Sequence, residues 1–183
     1  RLTFTQQSGK YPPIWSPNGD KIIFSFKGIY IMNPDGSNQK RLTDENYDPY
    51  YEFHFSPDSK KIVYISINDI YMMDADGSNK VNIFQTNKSY YLNGEVNWSP
   101  DSKKIVVVTD VGKGFNEFFV MNPDGTNKIR LNTGGRFPSW SPDGKKIAFD
   151  SSIDGKDGVY VVNPDGSNQI KLTNDGNRPA WSP

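Results

Sequence analysis

Trp140-Ser-Pro-Asp-Gly-Lys-Lys-Ile147 decides the fold, because the chain repeats it. The pattern also stands at Trp15-Ser-Pro-Asn-Gly-Asp-Lys-Ile22, Phe55-Ser-Pro-Asp-Ser-Lys-Lys-Ile62 and Trp98-Ser-Pro-Asp-Ser-Lys-Lys-Ile105, and Trp181-Ser-Pro183 closes the chain. Successive aromatic positions lie 40, 43, 42 and 41 residues apart. A second landmark falls between them, at Asn33-Pro-Asp-Gly-Ser-Asn38, Asp74-Ala-Asp-Gly-Ser-Asn79, Asn122-Pro-Asp-Gly-Thr-Asn127 and Asn163-Pro-Asp-Gly-Ser-Asn168. A third is the Arg-Leu-Thr type of ending, at 1–3, 41–43, 130–132 and 171–173. A period near forty belongs to propeller blades and to some helical arrays.

The content of each repeat separates the two. Short β-branched and aromatic runs cover 21–25, 62–66, 105–109 and 147–150, each followed by a second run at 29–32, 70–73, 118–121 or 159–162. None has a helical period, and turn clusters bound them all, which is the pattern of strands. Ser-Pro-Asp-Gly and Asn-Pro-Asp-Gly put Ser or Asn at the first turn position, Pro at the second and Gly at the fourth, as a type I turn requires. Proline also removes a backbone donor where a ladder ends. Helical arrays are thereby excluded. Each repeat reads as four strands, A to D: A ends at the aromatic, B follows the first turn, C precedes Asn-Pro-Asp-Gly, and D ends at Leu-Thr. A lone four-stranded sheet cannot cover two apolar faces, whereas sheets packed face to face about an axis can. The recurrent tryptophan is then filler between blades.

These paired motifs resemble the Pro-Asp variant of the WD40-like repeat found in TolB-type β-propellers, over essentially the whole chain. The resemblance implies an all-β fold, a β-propeller built of four-stranded antiparallel blades. The chain would hold four complete blades of about 41 residues in one domain over 1–183, plus a leftover D-type strand at 1–5 and A-type strand at 178–182. It differs from TolB in lacking an N-terminal α/β domain and in having four repeats rather than six. Family members include periplasmic scaffold proteins, propeller caps of prolyl-oligopeptidase-type enzymes and some pectin-degrading lyases, so fold is better determined than function. The expected location is periplasmic or extracellular. The unpaired end blades fit a fragment of a six- to eight-bladed propeller, a half-ring that pairs with a second copy, or an unusual closed four-bladed ring. Exposed edges favour association with another copy or the rest of a larger chain.

Composition removes several classes. Lys+Arg number 21 and Asp+Glu 21 in 183 residues, so no net charge recommends a nucleic-acid or anionic-membrane partner. Aromatics make up 14%, which suits an all-β core. Cysteine is absent, excluding disulfides and thiolate-bound metals. No run approaches the roughly 20 apolar residues of a membrane span.

Comparison among the repeats locates candidate functional positions. The A–B and C–D turns are constant and share one face, whereas the connections at 43–51, 86–94, 110–117 and 151–158 vary on the other, the natural place for binding residues. The entrance to strand A, nearest the axis, is the second candidate. Three residues before the aromatic stand Pro12, Glu52, Glu95, Phe137 and Arg178, and four before it Tyr11, Tyr51, Gly94, Arg136 and Asn177. With His54, the lone histidine, this set of Tyr11, Tyr51, Glu52, Glu95, Arg136, Phe137 and Arg178 would rim the channel and suit a polar peptide or a glycan. The plainer reading is solvated rim charge.

Catalytic signatures are lacking. One histidine cannot build a His-rich metal site, and no Gly-x-Ser-x-Gly elbow occurs. Glu52 and Glu95 meet only the formal need of a glycosidase for two carboxylates. Asp74-Ala-Asp-Gly lacks the distal Glu of a calcium loop and reads as a tight turn. The sequon-like Asn87-Lys-Ser89 and Asn97-Trp-Ser99 read as chance. The expectation is therefore a non-catalytic, cofactor-free binding or scaffold propeller that recognises a protein or peptide. The alternatives are a substrate-gating propeller of a larger hydrolase and a carbohydrate-binding propeller.

Overall fold

In the computed structural model, which describes residues 12–43, 52–66, 69–85, 91–110, 116–153, 155–176 and 178–182, every Ser-Pro-Asx turn closes in the same way. The fourth residue donates its N–H to the serine carbonyl, at 2.9 Å in Gly19 to Ser16 and 2.8 Å in Gly144 to Ser141. The serine hydroxyl donates to the acidic or amide side chain two residues on, Asn18, Asp58, Asp101 or Asp143. It also accepts from the N–H of the lysine opening strand B, Lys21, Lys61, Lys104 or Lys146. The fourth position is left-handed whatever occupies it: φ is 77° at Gly19 and 69° at Gly144, but also 63° at Ser59 and 61° at Ser102.

The C–D turns repeat with equal regularity. Gly36 N–H donates to Asn33 O at 2.9 Å, and Asp35 accepts from Ser37 N–H at 2.9 Å, with counterparts in the other three blades. The residue closing each motif, Asn38, Asn79, Asn127 or Asn168, sits at φ between 51° and 53°, a region asparagine tolerates better than most side chains. A lysine ties the two turns of each blade together: Lys21 Nζ to Asn33 Oδ1 at 2.7 Å, and Lys104 to Asn122 and Lys146 to Asn163 at 2.6 Å. In blade 2 the same tie is the Lys61–Asp74 ion pair at 2.8 Å. Asp74 is thus occupied as a lysine acceptor, and Asp76 accepts from the backbone and hydroxyl of Ser78, so the calcium-like motif is built as a turn.

Four antiparallel four-stranded sheets result. Blade 1 holds β1 (Ile14–Trp15), β2 (Ile22–Ser25), β3 (Ile29–Met32) and β4 (Lys40–Arg41), and blade 2 holds β5 (Phe53–Phe55), β6 (Lys61–Ser66), β7 (Asp69–Asp74) and β8 (Val81–Phe84). Blade 3 holds β9 (Tyr91–Trp98), β10 (Ile105–Asp110), β11 (Asn116–Met121) and β12 (Ile129–Leu131). Blade 4 holds β13 (Arg136–Trp140), β14 (Ile147–Ile153), β15 (Lys156–Val162) and β16 (Ile170–Lys171). Each sheet is a meander in chain order. The leftover D strand expected at 1–5 lies outside the described residues. The A strand expected at 178–182 has no ladder partner among the described residues and carries no strand pairing there.

The chain divides into two compact units, residues 1–82 and 83–183, the division falling within β8. In the first, Ile23, Ile31 and Leu42 of blade 1 pack with Phe53, Phe55, Ile62, Tyr64 and Met73 of blade 2. In the second, Val106, Val108, Phe118 and Leu131 of blade 3 meet Trp140, Ile147, Phe149, Tyr160 and Val162 of blade 4. Phe118 and Phe149 pack edge to face with centroids 5.3 Å apart. Each such fully buried side chain contributes about 1.5–3 kcal/mol.

Two aromatics of the repeated motif, Phe55 and Trp140, fill these interfaces, and Trp15 departs from the expectation. Phe55 and Trp140 are buried, and Trp98 and Trp181 half-buried. The Trp140 indole N–H donates to Asn97 O at 3.3 Å and that of Trp181 to Ser139 O at 2.9 Å, each reaching the preceding A strand. Trp15 is instead 53% exposed, since the filler works on the blade before it and no described blade precedes β1. A second contact recurs at the other end of the sheet. The turn glycine of one blade sits on the D-strand aliphatic of the blade before it: Gly77 on Leu42, Gly125 on Ile83, Gly166 on Leu131.

Two outcomes follow for stability. A Cβ at Gly125 would lie 2.6 Å from the Ile83 carbonyl oxygen at φ +81°, whereas Gly19 has nothing within 4 Å. Gly125→Ala is expected to cost at least about 2 kcal/mol in urea denaturation, and Gly19→Ala only about 1, the left-handed penalty alone. Equal costs would show that the Gly125 contact is not rigid. The second outcome concerns acid. Serine or threonine hydroxyls hold Asp35, Asp76, Asp101, Asp124, Asp143 and Asp165 below the usual carboxylate range. In Asp58 burial opposes this, but the Ser56 hydroxyl and Lys60 outweigh it. A carboxylate depressed in the fold stabilises it above the unfolded pKa, and that stability goes as pH falls through the folded one. The thermal midpoint should therefore fall as pH drops below about 4. Asp101→Asn should fall less steeply from a slightly lower neutral-pH midpoint, since Asn18 builds the same turn in blade 1 without the charge. A midpoint flat from pH 5 to 3 would contradict this.

Candidate binding rim

Strand A entrances place the candidate residues, and each unit has its own set. In the first, β5 pairs antiparallel with β6, His54 opposite Val63, and Glu52 O accepts from Ile65 N–H at 3.0 Å just ahead of the strand. Residues two apart on an extended chain share a face. Glu52 Oε1 and His54 Nε2 accordingly meet at 2.8 Å, both half-buried. The histidine is thus engaged by the carboxylate beside it. Tyr11 and Tyr51 lie outside the described residues, and Pro12 is exposed.

The second unit is more elaborate. The β9–β10 pairing shifts register between Val107 and Thr109, and β13–β14 between Arg136 and Ser139, so both A strands are irregular at their entrances. Phe137 takes φ 54° and Arg178, its counterpart in the next repeat, φ 50°. A bulky residue there is a true outlier that its surroundings must hold in place. They do so through blade 3. Glu95 Oε2 accepts the Phe137 N–H at 2.8 Å, and the Asn97 amide donates to Pro138 O at 3.1 Å. The Arg178 guanidinium lies 4.6 Å from the centroid of the Phe137 ring. Arg136 and Arg178 are exposed and Phe137 half-buried.

One residue of this rim escaped the sequence reading. Asp150, on β14, is in register with Arg136, and its Oδ1 is buried without a hydrogen-bond partner. Burial pushes its carboxyl up, opposed by the charge of Arg136, by backbone N–H groups of Asp150 and Arg136, and least by the charge of Arg178. The signal was available: the equivalent strand-B positions are Ser25, Ile65 and Val108, and a carboxylate in that series is out of place. Glu95 and Asn97 were likewise invisible as backbone clamps, because their partners stand 42 and 41 residues away.

Of the variable connections, 44–51, 86–90 and 111–115 lie outside the described residues. The fourth, expected as a loop over 151–158, is mostly strand. β14 runs to Ile153 and β15 begins at Lys156, with Ser151 opposite Gly158 and Ser152 opposite Asp157. A left-handed Gly155, φ 69°, allows the tight reversal that lets the ladder continue. Among the described residues no cluster of three His, Cys, Asp or Glu side chains is arranged to hold a metal ion.

Several solved structures share this architecture. The chain is similar to a putative TolB from Agrobacterium tumefaciens, with 23% identity and a TM-score of 0.63 over 88% of this chain and 60% of that one. It is similar to an oligogalacturonate lyase from Vibrio parahaemolyticus, with 16% identity and a TM-score of 0.75 over 96% and 56%. It is also similar to dipeptidyl peptidase 4 of Porphyromonas gingivalis, with 11% identity and a TM-score of 0.72 over 92% and 33%. At such identities the likeness is one of fold, and the chain spans less than two thirds of each of these proteins. No curated protein sequence matches it. The TolB beta propeller domain family, PD40, matches residues 3–183. With its turns, four-stranded sheets and interleaved aromatics all accounted for, the chain belongs to that family.

Proposed function

We propose that this chain is a non-catalytic binding propeller, located outside the cytoplasm, that recognises a protein or peptide through the strand A entrances and the variable connections beside them. The observation that carries this reading is the division of labour among side chains. The constant residues of both turns are consumed in bonds within their own blade, from Ser16 to Asn18 and Lys21 to Asn33 onward. The residues that differ between blades, Glu52, His54, Arg136, Phe137 and Arg178, gather at the entrances instead. Rigid frame and variable rim is the usual plan of a binding module. The proposal assigns no reaction: the chain carries one histidine and no Gly-x-Ser-x-Gly elbow. A displayed random-peptide library selected on the immobilised chain should enrich a motif whose affinity falls at least about tenfold when residues 111–115 and Arg136 are replaced together. Lys145→Ala, on a constant turn, should leave it unchanged. No enrichment, or equal loss from the turn variant, would refute the reading.

The same proposal includes further blades, from a second copy or from the rest of a longer polypeptide. Leu172 is 58% exposed, whereas its counterparts Leu42, Ile83 and Leu131 are buried, and Trp15 is exposed where Trp140 is covered. Apolar residues left open in this way favour association. Light scattering of the chain alone should report a mass above the monomer that falls on dilution. A monomer stable at all concentrations would exclude self-association.

A further inference from the structure

We propose that the rim formed by Arg136, Phe137 and Arg178 is a subsite for a carboxylate of the bound peptide, a refinement that rests on the peptide-binding reading above. Four observations converge on it. Phe137 and Arg178 hold left-handed backbones that side chains of their size avoid, at equivalent positions of consecutive repeats. Such strain persists where function uses it. The backbone carrying Phe137 is fixed from blade 3 by Glu95 and Asn97, so the rim is set before any ligand arrives. Arg178 is stacked on the Phe137 ring, which orients its planar guanidinium. Among the described residues, neither the Arg136 nor the Arg178 guanidinium is within ion-pairing distance of a carboxylate.

Asp150 explains how two like charges share this rim. Its carboxylate is close enough to feel both guanidinia, yet its Oδ1 takes no bond from either. It therefore acts as a positioning residue that offsets the Arg136–Arg178 repulsion and leaves their N–H groups for a ligand. Asp150 offsets one of the two arginine charges, which leaves the rim suited to a single carboxylate rather than to a polyanion. A single carboxylate met by directed N–H donors fits it, since the arginine fork matches carboxylate geometry. The half-buried Phe137 ring offers apolar contact to a neighbouring side chain, which favours a peptide over a sugar acid.

The test is a pair of probes, N-acetyl-Ala-Ala-Leu as the free acid and as its carboxamide, titrated into the chain and followed by NMR. The acid should shift the Phe137 and Arg178 amides and the arginine Nε–H signals saturably, and the carboxamide should not. Arg178→Gln should weaken binding of the acid about tenfold, and Arg178→Lys less. Asp150→Asn, with the fold checked by its amide spectrum, should weaken it while leaving the preference for acid over amide. Equal shifts from the carboxamide, no shifts at millimolar probe, or stronger shifts from galacturonic acid would overturn the subsite. The peptide-binding reading fails separately, if library selection yields nothing or if the constant-turn variant loses as much affinity. Binders that ignore Arg136 and Arg178 would remove the subsite and leave that reading standing.

Discussion

A four-stranded sheet of about forty residues has two apolar faces and no interior of its own. Strand B shows this most clearly: Ile105, Val106, Val107 and Val108 are all buried, although consecutive residues point to opposite faces. Neither face survives in water, so each blade is completed by its neighbours. Ile23 and Ile31 require Phe53 and Tyr64, and Phe118 requires Phe149. The turns, the interleaved aromatics and the placement of the rim follow from that dependence, because blades can pack only if their edges stop cleanly and their ends are held at fixed spacing.

Polar chemistry does the stopping. Each Ser-Pro-Asx turn is closed by its own serine, and each lysine tie joins the two turns of one blade at one end of the sheet. Bonds from Asn18 N–H to Ser59 and from Lys40 to Asp76 O join turns of blades 1 and 2 at that same end, so the frame asks nothing of the opposite one. There, the chain is free to place residues that a scaffold alone would not choose: a carboxylate on a buried strand at Asp150, a phenylalanine in a left-handed backbone at position 137, a histidine beside Glu52. The unlike residues gather where the frame leaves them room.

The fold was nearly all legible in the sequence, because it is written in local rules repeated four times. β3 was placed to the residue, and the other B and C strands to within a few, since alternation and Pro-Asp-Gly mark them. The misses have physical reasons. β14 and β15 run three residues further than expected, because Gly155 lets the ladder continue past polar Ser151 and Ser152. Trp15 looked like its sisters, but among the described residues no earlier strand covers it. The rim was legible only as a set of positions. Its geometry depends on pairs such as Glu95 with Phe137, separated by a whole repeat, and on a carboxylate that matters because of what lies around it. Neither distance nor environment is a property of a short motif.

The C–D turn glycines Gly77, Gly125 and Gly166 each rest on one aliphatic residue of the blade before, Leu42, Ile83 and Leu131. Such a joint is directional and always links nearest neighbours. Stability is then close to a sum of blade and nearest-neighbour contributions, as in a one-dimensional array. It also makes the joint portable: any blade bearing that glycine fits any blade bearing that aliphatic. A lineage built on this coupling can lengthen, shorten or exchange its blades by recombination without redesigning an interface.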